Sequence, residues 1–583
     1  MGDRDRQPAK SDRSWLAGLV ARLRKPLFLP LAALMLITVA LVPPRGEFPL
    51  NDDWIYAKTV QGILETGAYE ANPYADPTLI AQAYWGALFC SVFGYSFTVL
   101  RASTLVLCLL GAWAAALCVR SRGMPHAAAL FFGALFIANP IVMNLSYTFM
   151  TDVPFLAVST ISGLFFLKSL EKEAALYVLL GSVAAVAAFF IRQFGLLLPA
   201  AFAATWIVLL IRKRVGFSWG VPLALLMPWA VAGGLLLVLP ELGAGTGEDW
   251  DWSDLGYTTL ERARTVLGHV LIGSVYVSLF TLPLLLGRLW PAGETKRWGR
   301  RRILGFTAIT VLVSYFVILP KPHRLPLMGN SIYDLGVGPM LLRGSVIDSE
   351  IAAPLWLGWA WWIITALCII ASALFILECL PHALRALSRK REGRIEDCER
   401  AAGQDLFLFF WGLAMLLILA APAIPIRFDR YFIIALLPWG LLSLQYAKVG
   451  VKKGPTVAAV SALAIMYVFS VVCLQDYMAW NGARWRGLER LMTEYGATPE
   501  EIDGGYEFNG LYTSDKFAED SASGGQRNFG PRGWWLVDDL YAVSLYPRDN
   551  FEEDGTEPYF SWLGFQTRDV LLLRRTGEPD SLF

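Results

Sequence analysis

Runs of roughly twenty apolar residues recur along this chain, parted by charged or Pro/Gly-rich breaks, and few folds accommodate that pattern. Wound as a helix, about twenty such residues cover the ~30 Å hydrocarbon core of a bilayer. The runs fall near 26–45, 98–118, 124–143, 153–168, 173–191, 195–211, 217–240, 265–290, 304–320, 353–380, 406–425, 431–447 and 455–474, which predicts thirteen membrane helices. Composition removes the alternatives. Of 583 residues, 55% are hydrophobic and 17% charged, where soluble domains carry about 25% charged residues. A net charge of +1 leaves no basic surplus for a nucleic acid, and 13% aromatic content excludes a disordered chain. Five of the seven cysteines (Cys108, Cys118, Cys368, Cys379, Cys473) lie in apolar runs, with neither a zinc spacing nor a disulfide ladder. The expectation is a polytopic α-helical membrane protein.

Basic residues orient it. Arg4, Arg6, Lys10, Arg13, Arg22, Arg24 and Lys25 precede the first span. Further clusters follow every second one: Arg120/Arg122, Lys168/Lys172, Arg212/Lys213/Arg214, Arg297/Arg300/Arg301/Arg302, Arg389/Lys390/Arg391 and Lys448/Lys452/Lys453. Excess Lys and Arg mark cytoplasmic loops, so the N-terminus (1–25) is predicted inside and the C-terminus outside. Counting 79–95 as a span would put Arg120 and Arg122 outside. That run, interrupted by Gln82, Tyr84 and Trp85, therefore reads as an interfacial or re-entrant helix. The first span is followed by Pro43, Pro44 and Arg45 rather than a small-x-small cleavage site, and reads as a retained anchor.

The outer side then receives 44–97, 144–152, 241–264, 321–352 and a tail from about 475. The tail turns polar at Glu500, Glu501 and Asp503. Helical periodicity over 484–496, with strand-like runs at 541–546 and 569–573, predicts a small α/β domain over 475–583 beside a membrane domain over 26–474. The first outer loop carries Asn51-Asp52-Asp53-Trp54-Ile55-Tyr56-Ala57. Adjacent carboxylates at a membrane boundary are expensive to desolvate. Lining a cavity, they offer a general base or a metal ligand; alternatively, Asp52 caps the helix begun by Ile55, Thr59 and Ile63. Asp152, in Thr151-Asp152-Val153-Pro154, invites the same two readings.

Positive charge on the predicted outer side is sparse. Arg192 follows the fifth span, Lys321, His323 and Arg324 open the middle loop, Arg343 closes it, and Arg427 and Arg430 flank Asp429. Each either pairs with a nearby acid or snorkels to lipid headgroups, or contributes to a phosphate site in which Arg supplies a bidentate fork and Lys a point charge. The four histidines are scattered and not at ligand spacing, so they read as structural, with His323 the one to watch.

One ordered set of motifs is more specific. Asp52-Asp53-Trp54-Ile55-Tyr56-Ala57 leads into Gly62-Ile63-Leu64-Glu65-Thr66-Gly67, Asn72-Pro73-Tyr74, Phe93-Gly94 and Arg101. Thr151-Asp152-Val153-Pro154, Arg192-Gln193, Gly329-Asn330, Gly336-Val337-Gly338-Pro339 and Arg430-Tyr431 follow. The set resembles GT-C membrane glycosyltransferases of the protein mannosyltransferase and aminoarabinose transferase type, over nearly the whole membrane part. The resemblance implies an inverting transfer of a sugar from a polyprenyl-phosphate carrier to a hydroxyl of a glycan, lipid or protein, at the outer face of a bacterial inner membrane. It makes Asp52 the base, sets Asp53 and Asp152 close to the reacting centre, and offers Tyr56, Arg192, Lys321, Arg324, Arg427, Arg430 and Tyr431 as substrate-binding groups. No cofactor is certain; a divalent ion at Asp52/Asp53 is the less favoured variant. Relatives often place a basic residue or His before the Pro of the first loop, where this chain has Asp76-Pro77. Two other readings compete: a transporter or flippase, which usually shows internal repeats, and a ligase or polymerase type relying on a late basic loop such as Lys321–Glu350.

Overall fold

A computed structural model describes residues 27–75, 78–238, 259–289, 299–318, 324–327, 329–333, 336–343, 358–388, 396–420, 428–518 and 529–577. The chain is a multi-pass helical membrane protein with a small sheet domain at its C-terminal end. Eight described helices are long and apolar enough to cross a membrane, or nine if one bent pair is a single span. Apolar side chains stand on the outward faces of the helices, among them Ile211 of Gln193–Ile211 and, on the shorter apolar helices, Leu36, Ile37, Leu176, Leu223 and Leu226, all more than half exposed. Inside the bundle, small residues let backbones approach, as is usual where lipid removes the hydrophobic drive between helices. A Cβ on Gly111 of helix Phe97–Ser121 would stand 2.8 Å from the Ala157 Cβ of helix Asp152–Lys172, and one on Gly133 would stand 3.0 Å from the Ala112 carbonyl.

Three features differ from the sequence reading. The run 265–290 divides at Thr281 into helices Thr259–Phe280 and Leu282–Leu289. The run 124–143 is not one helix: His126–Ala138 and Pro140–Ser146 meet at 62°. Pro140 has no N–H to continue the ladder, and the Asn139 side chain instead accepts from the amides of Ile141 and Val142, starting a new helix. The final run does not stop near residue 474, where composition turns polar. Helix Lys453–Thr493 continues unbroken for 41 residues into the C-terminal domain. Its last turns exchange lipid for protein: Ala483, Leu488 and Leu491 pack against Ile502, Phe508, Val543, Val570 and Leu572. Helix Ile80–Phe93, the run set apart as non-spanning, is 14 residues long and leaves Tyr84, Leu88 and Val92 exposed at four-residue spacing.

The C-terminal sheet has the order β3 (Ile502–Asp503), β4 (Tyr541–Ser544), β6 (Gln566–Arg575), β5 (Phe551–Ser561). Here β3 runs parallel to β4 and the other pairs are antiparallel. A separate two-stranded piece, β1 (Ile332–Tyr333) with β2 (Gly336–Val337), lies in the middle loop. Both sheets, the first loop, residues 147–152, Arg192 and Asp429–Arg430 meet at one end of the bundle, called here the head end. At the opposite end Arg122 pairs with Asp405 at 2.6 Å, and Arg288 and Arg302 converge on Glu378.

Candidate active site

The first loop is shaped by one buried cation. Arg101, in the first turns of helix Phe97–Ser121 and 0% exposed, donates to the carbonyls of Gly46 (2.9 Å) and Phe48 and lies 4.9 Å from the Phe48 ring. These bonds fold residues 44–50 back over the bundle. The chain turns at Asn51 with φ of 59° and enters helix Asp53–Thr66. Asp52 occupies the N-cap position but makes no capping bond. Its Oδ1 accepts from the Tyr506 hydroxyl at 2.7 Å, and its Oδ2 lies 3.7 Å from Arg430 Nη2.

The neighbouring acid is committed elsewhere. Asp53 is 0% exposed; its Oδ1 accepts from the Phe149 amide (2.8 Å) and its Oδ2 from the Leu50 amide (3.4 Å). It thereby ties the loop at 147–152 to the first loop. Burial pushes its carboxyl up to about 8, against the pull of the Arg101 charge and the two amide bonds. The two aspartates thus spend their oxygens on different partners. Among the described residues no three His, Cys, Asp or Glu side chains group as a metal site.

Asp52 belongs to an alternating ionic chain. Asp152, also fully buried, sets Oδ2 3.0 Å from Arg192 Nη2 and 3.7 Å from Arg430 Nη1. Neither Thr151 nor Asp152 caps its helix; Thr151 Oγ1 accepts from Arg192 Nε at 2.7 Å. The Tyr431 ring lies under both guanidinium groups, 5.6 Å from Arg192 and 5.5 Å from Arg430, and Phe428 faces Arg430 at 5.2 Å. Tyr56, one turn beyond Asp52, lies within electrostatic reach of Arg430 and Tyr506. Arg430 is held from behind: Asp429, 0% exposed, accepts from its amide (2.7 Å) and from those of Ser331 (3.0 Å) and Ile332 (2.6 Å), which fixes the β1–β2 segment at the same place.

Of the residues singled out in the sequence, Asp52, Asp152, Arg192, Arg430 and Tyr431 come together, with Tyr56 beside them. Arg324 donates to the Leu325 carbonyl at 3.0 Å. Lys321, His323 and Arg427 lie outside the described residues. Arg343 turns to the C-terminal domain, 3.5 Å from Asp503 and donating to the Gly533 carbonyl at 2.8 Å. Sequence reasoning missed Tyr506 and the support behind it. Arg484 and Glu507, both 0% exposed, pair at 3.0 Å. Arg484 also donates twice to the Gly504 carbonyl, and Glu507 accepts from the Asn51 amide at 3.0 Å. Trp54, Tyr74 and Trp535 form an edge-on aromatic cluster, with Trp535 4.9 Å from each of the other two. Trp535 is fully buried and belongs to the core. A cavity of about 260 Å³ opens between the long helix and the sheet, bordered by Asp476, Trp480, Tyr546, Tyr559 and Arg568. It shares none of the ionic chain. Its Asp476 is occupied by the Ser561 hydroxyl and the amides of Trp562 and Leu563.

No family model matches the chain, and no curated relative does. Among solved structures, ArnT from Cupriavidus metallidurans aligns over 97% of this chain in its apo state, covering 99% of its own length. The same protein bound to undecaprenyl phosphate aligns over 97%, covering 98% of its length; both give a TM-score of 0.43 at 14% identity. The archaeal oligosaccharyltransferase AglB from Archaeoglobus fulgidus, in complex with an inhibitory peptide and a dolichol-phosphate, aligns over 90% of this chain and 70% of its own. Its TM-score is 0.39 at 14% identity. Both neighbours are GT-C glycosyltransferases.

Proposed function

We propose that this chain is a GT-C glycosyltransferase that moves a monosaccharide from a polyprenyl-phosphate carrier to an acceptor hydroxyl at the extracytoplasmic face of a bacterial inner membrane. Thirteen crossings with the N-terminus inside would put the head end on that face. The observation that carries the reading is the ionic chain Arg192–Asp152–Arg430–Asp52 at the edge of an apolar bundle. Two guanidinium groups and a partly exposed carboxylate stand there together, a set suited to a lipid-linked phosphate and an acceptor hydroxyl.

The chemistry divides between them. An acceptor hydroxyl approaching Asp52 gives its proton to the carboxylate as its oxygen bonds to the sugar's anomeric carbon. The bond from that carbon to the phosphate oxygen breaks on the opposite face, and the electron pair leaves with the lipid phosphate, so the configuration inverts. A phosphate leaving group requires neutralisation rather than a proton. Arg430 and Arg192 supply it through their paired N–H groups; Lys321, Arg324 and Arg427 are further candidates for the same phosphate. Asp152, between the two arginines, keeps them oriented before the donor arrives. Tyr431 supports both from beneath, and Tyr56 borders the space beside Asp52.

The test uses the full chain in lipid nanodiscs, a series of undecaprenyl-phosphate monosaccharides, and glycan, lipid and peptide acceptors, with release of undecaprenyl phosphate as the readout. Asp52→Asn is expected to lower turnover by about 10²–10⁴-fold with an unchanged melting profile. Near-normal turnover in that variant removes the base assignment.

A further inference from the structure

In this structure the carboxylate assigned as base already holds a hydroxyl. Tyr506 donates to Asp52 Oδ1 at 2.7 Å, the length of a charge-assisted O–H···O bond, in the geometry an acceptor alcohol needs before it loses its proton. The other oxygen faces Arg430, so the phenol occupies the side of Asp52 left for a nucleophile.

That hydroxyl is placed by the protein rather than by chance. The Tyr506 ring lies 5.3 Å from Trp535 and 6.4 Å from Trp54, with half-buried Trp534 perpendicular at 5.9 Å. Its amide donates to the Leu341 carbonyl at 3.0 Å. Gly505 before it has φ of +87°, and a Cβ there would stand 2.4 Å from that same carbonyl. Glu507 after it is fixed by Arg484 and the Asn51 amide. Segments around residues 51, 341, 484 and 535 therefore converge to hold one phenol against one carboxylate. Burial and the neighbouring Asp52 charge both keep the phenol protonated, so it donates and does not compete as a nucleophile.

We propose that the Tyr506 hydroxyl holds the place of the acceptor hydroxyl at Asp52 and makes the site selective for an acceptor over water. The inference rests on the reading of Asp52 as the base. Without the phenol, water can enter the same position: its oxygen bonds to the anomeric carbon, its proton passes to Asp52, the bond to the phosphate oxygen breaks, and the donor is hydrolysed. Water has no further contacts with which to displace a charge-assisted hydrogen bond. An acceptor brings binding energy from the rest of its structure, and that energy opens the position.

Two measurements on the full chain in nanodiscs test this. The first needs no substrate: labelling of Asp52 by a water-soluble carbodiimide with glycine methyl ester, followed by mass spectrometry. Tyr506→Phe keeps the ring and removes the donor, and is expected to label on the order of tenfold faster, the equilibrium worth of one such bond. Tyr506→Met checks that volume alone does not protect Asp52, and Tyr512→Phe, on the same helix, should label as wild type. The second is release of undecaprenyl phosphate from the donor series, with and without acceptor. In Tyr506→Phe, release without acceptor is expected to rise about tenfold and the acceptor KM to fall by a similar factor, because the acceptor no longer displaces the phenol. Unchanged Asp52 labelling overturns the inference, as does a parallel fall of hydrolysis and transfer. If the wild-type chain turns over no donor while Tyr506→Phe still labels faster, the transfer reading falls and the shielding of Asp52 stands.

Discussion

Replacing Arg484 by Met removes one half of an ion pair that has no access to water, and its cost follows from the contacts. Arg484 gives two hydrogen bonds to Glu507 Oε2, each at 3.0 Å, and two to the Gly504 carbonyl. Met fills similar volume but leaves the Glu507 carboxylate buried with only the Asn51 amide on its other oxygen. Breaking one side of such a pair costs about 3–5 kcal/mol. The loss falls on the segment 502–513, which also positions Tyr506. Hydrogen exchange in nanodiscs reads it directly: opening of this segment should become easier, and its amides should exchange more than ~100-fold faster than in wild type. Removing both charges, in Arg484→Met with Glu507→Leu, should recover at least about fivefold of that protection, because no uncompensated charge remains. What persists is the lost acceptor for Asn51 and the lost donor for Gly504, about 1 kcal/mol each. The reasoning fails if the single variant exchanges within threefold of wild type, or if the double variant exchanges as fast as the single.

Asp53 makes folding pH-dependent in a known direction. Its folded carboxyl holds a proton up to about 8, while an unfolded aspartate releases it near 4. The unfolded chain therefore binds fewer protons between these values, and stability falls as pH rises through that window. The inactivation temperature of wild type should drop from pH 6 to 8.5 more steeply than that of Asp53→Asn; equal slopes refute it. Gly505→Ala should cost about 1–3 kcal/mol in left-handed strain alone and, by shifting Tyr506, raise Asp52 labelling; wild-type labelling and stability would contradict this. Arg430→Lys keeps the charge and loses the fork, so undecaprenyl phosphate should bind roughly tenfold more weakly. Unaltered affinity excludes Arg430 from the phosphate site.

The bundle was legible because lipid imposes a single demand, an uninterrupted apolar stretch, and each run expected to cross contains helix wherever it is described. The interruptions were less so. Pro140 sits in a run apolar enough to pass as one helix, and only the side chain of Asn139 shows that a new helix begins there. The polar switch at 475 reads as a boundary because hydropathy registers the loss of lipid, not the sheet that replaces it. At the candidate site, Asp52 and Asp53 were marked together, but adjacency in sequence says nothing about which face each serves; the amide of Phe149, 96 residues away, decides that for Asp53. The capping alternatives for Asp52 and Asp152 were reasonable on local grounds and yield to guanidinium groups from distant helices. Tyr506 left no trace in the sequence, since it meets Asp52 across 454 residues and a tyrosine in a polar segment is unremarkable by type.

The 41-residue helix Lys453–Thr493 has a mechanical consequence. At 1.5 Å per residue it is a rod roughly 60 Å long, anchored among the bundle at one end and bearing the sheet at the other. The helix has no break where the apolar run ends near residue 474, so the C-terminal sheet follows the tilt of its anchor. With Asp52 as the proposed base, substrates would reach it sideways through the bundle wall or by displacement of single side chains. Bilayers of different thickness, which change helix tilt, would be felt directly at the carboxylate.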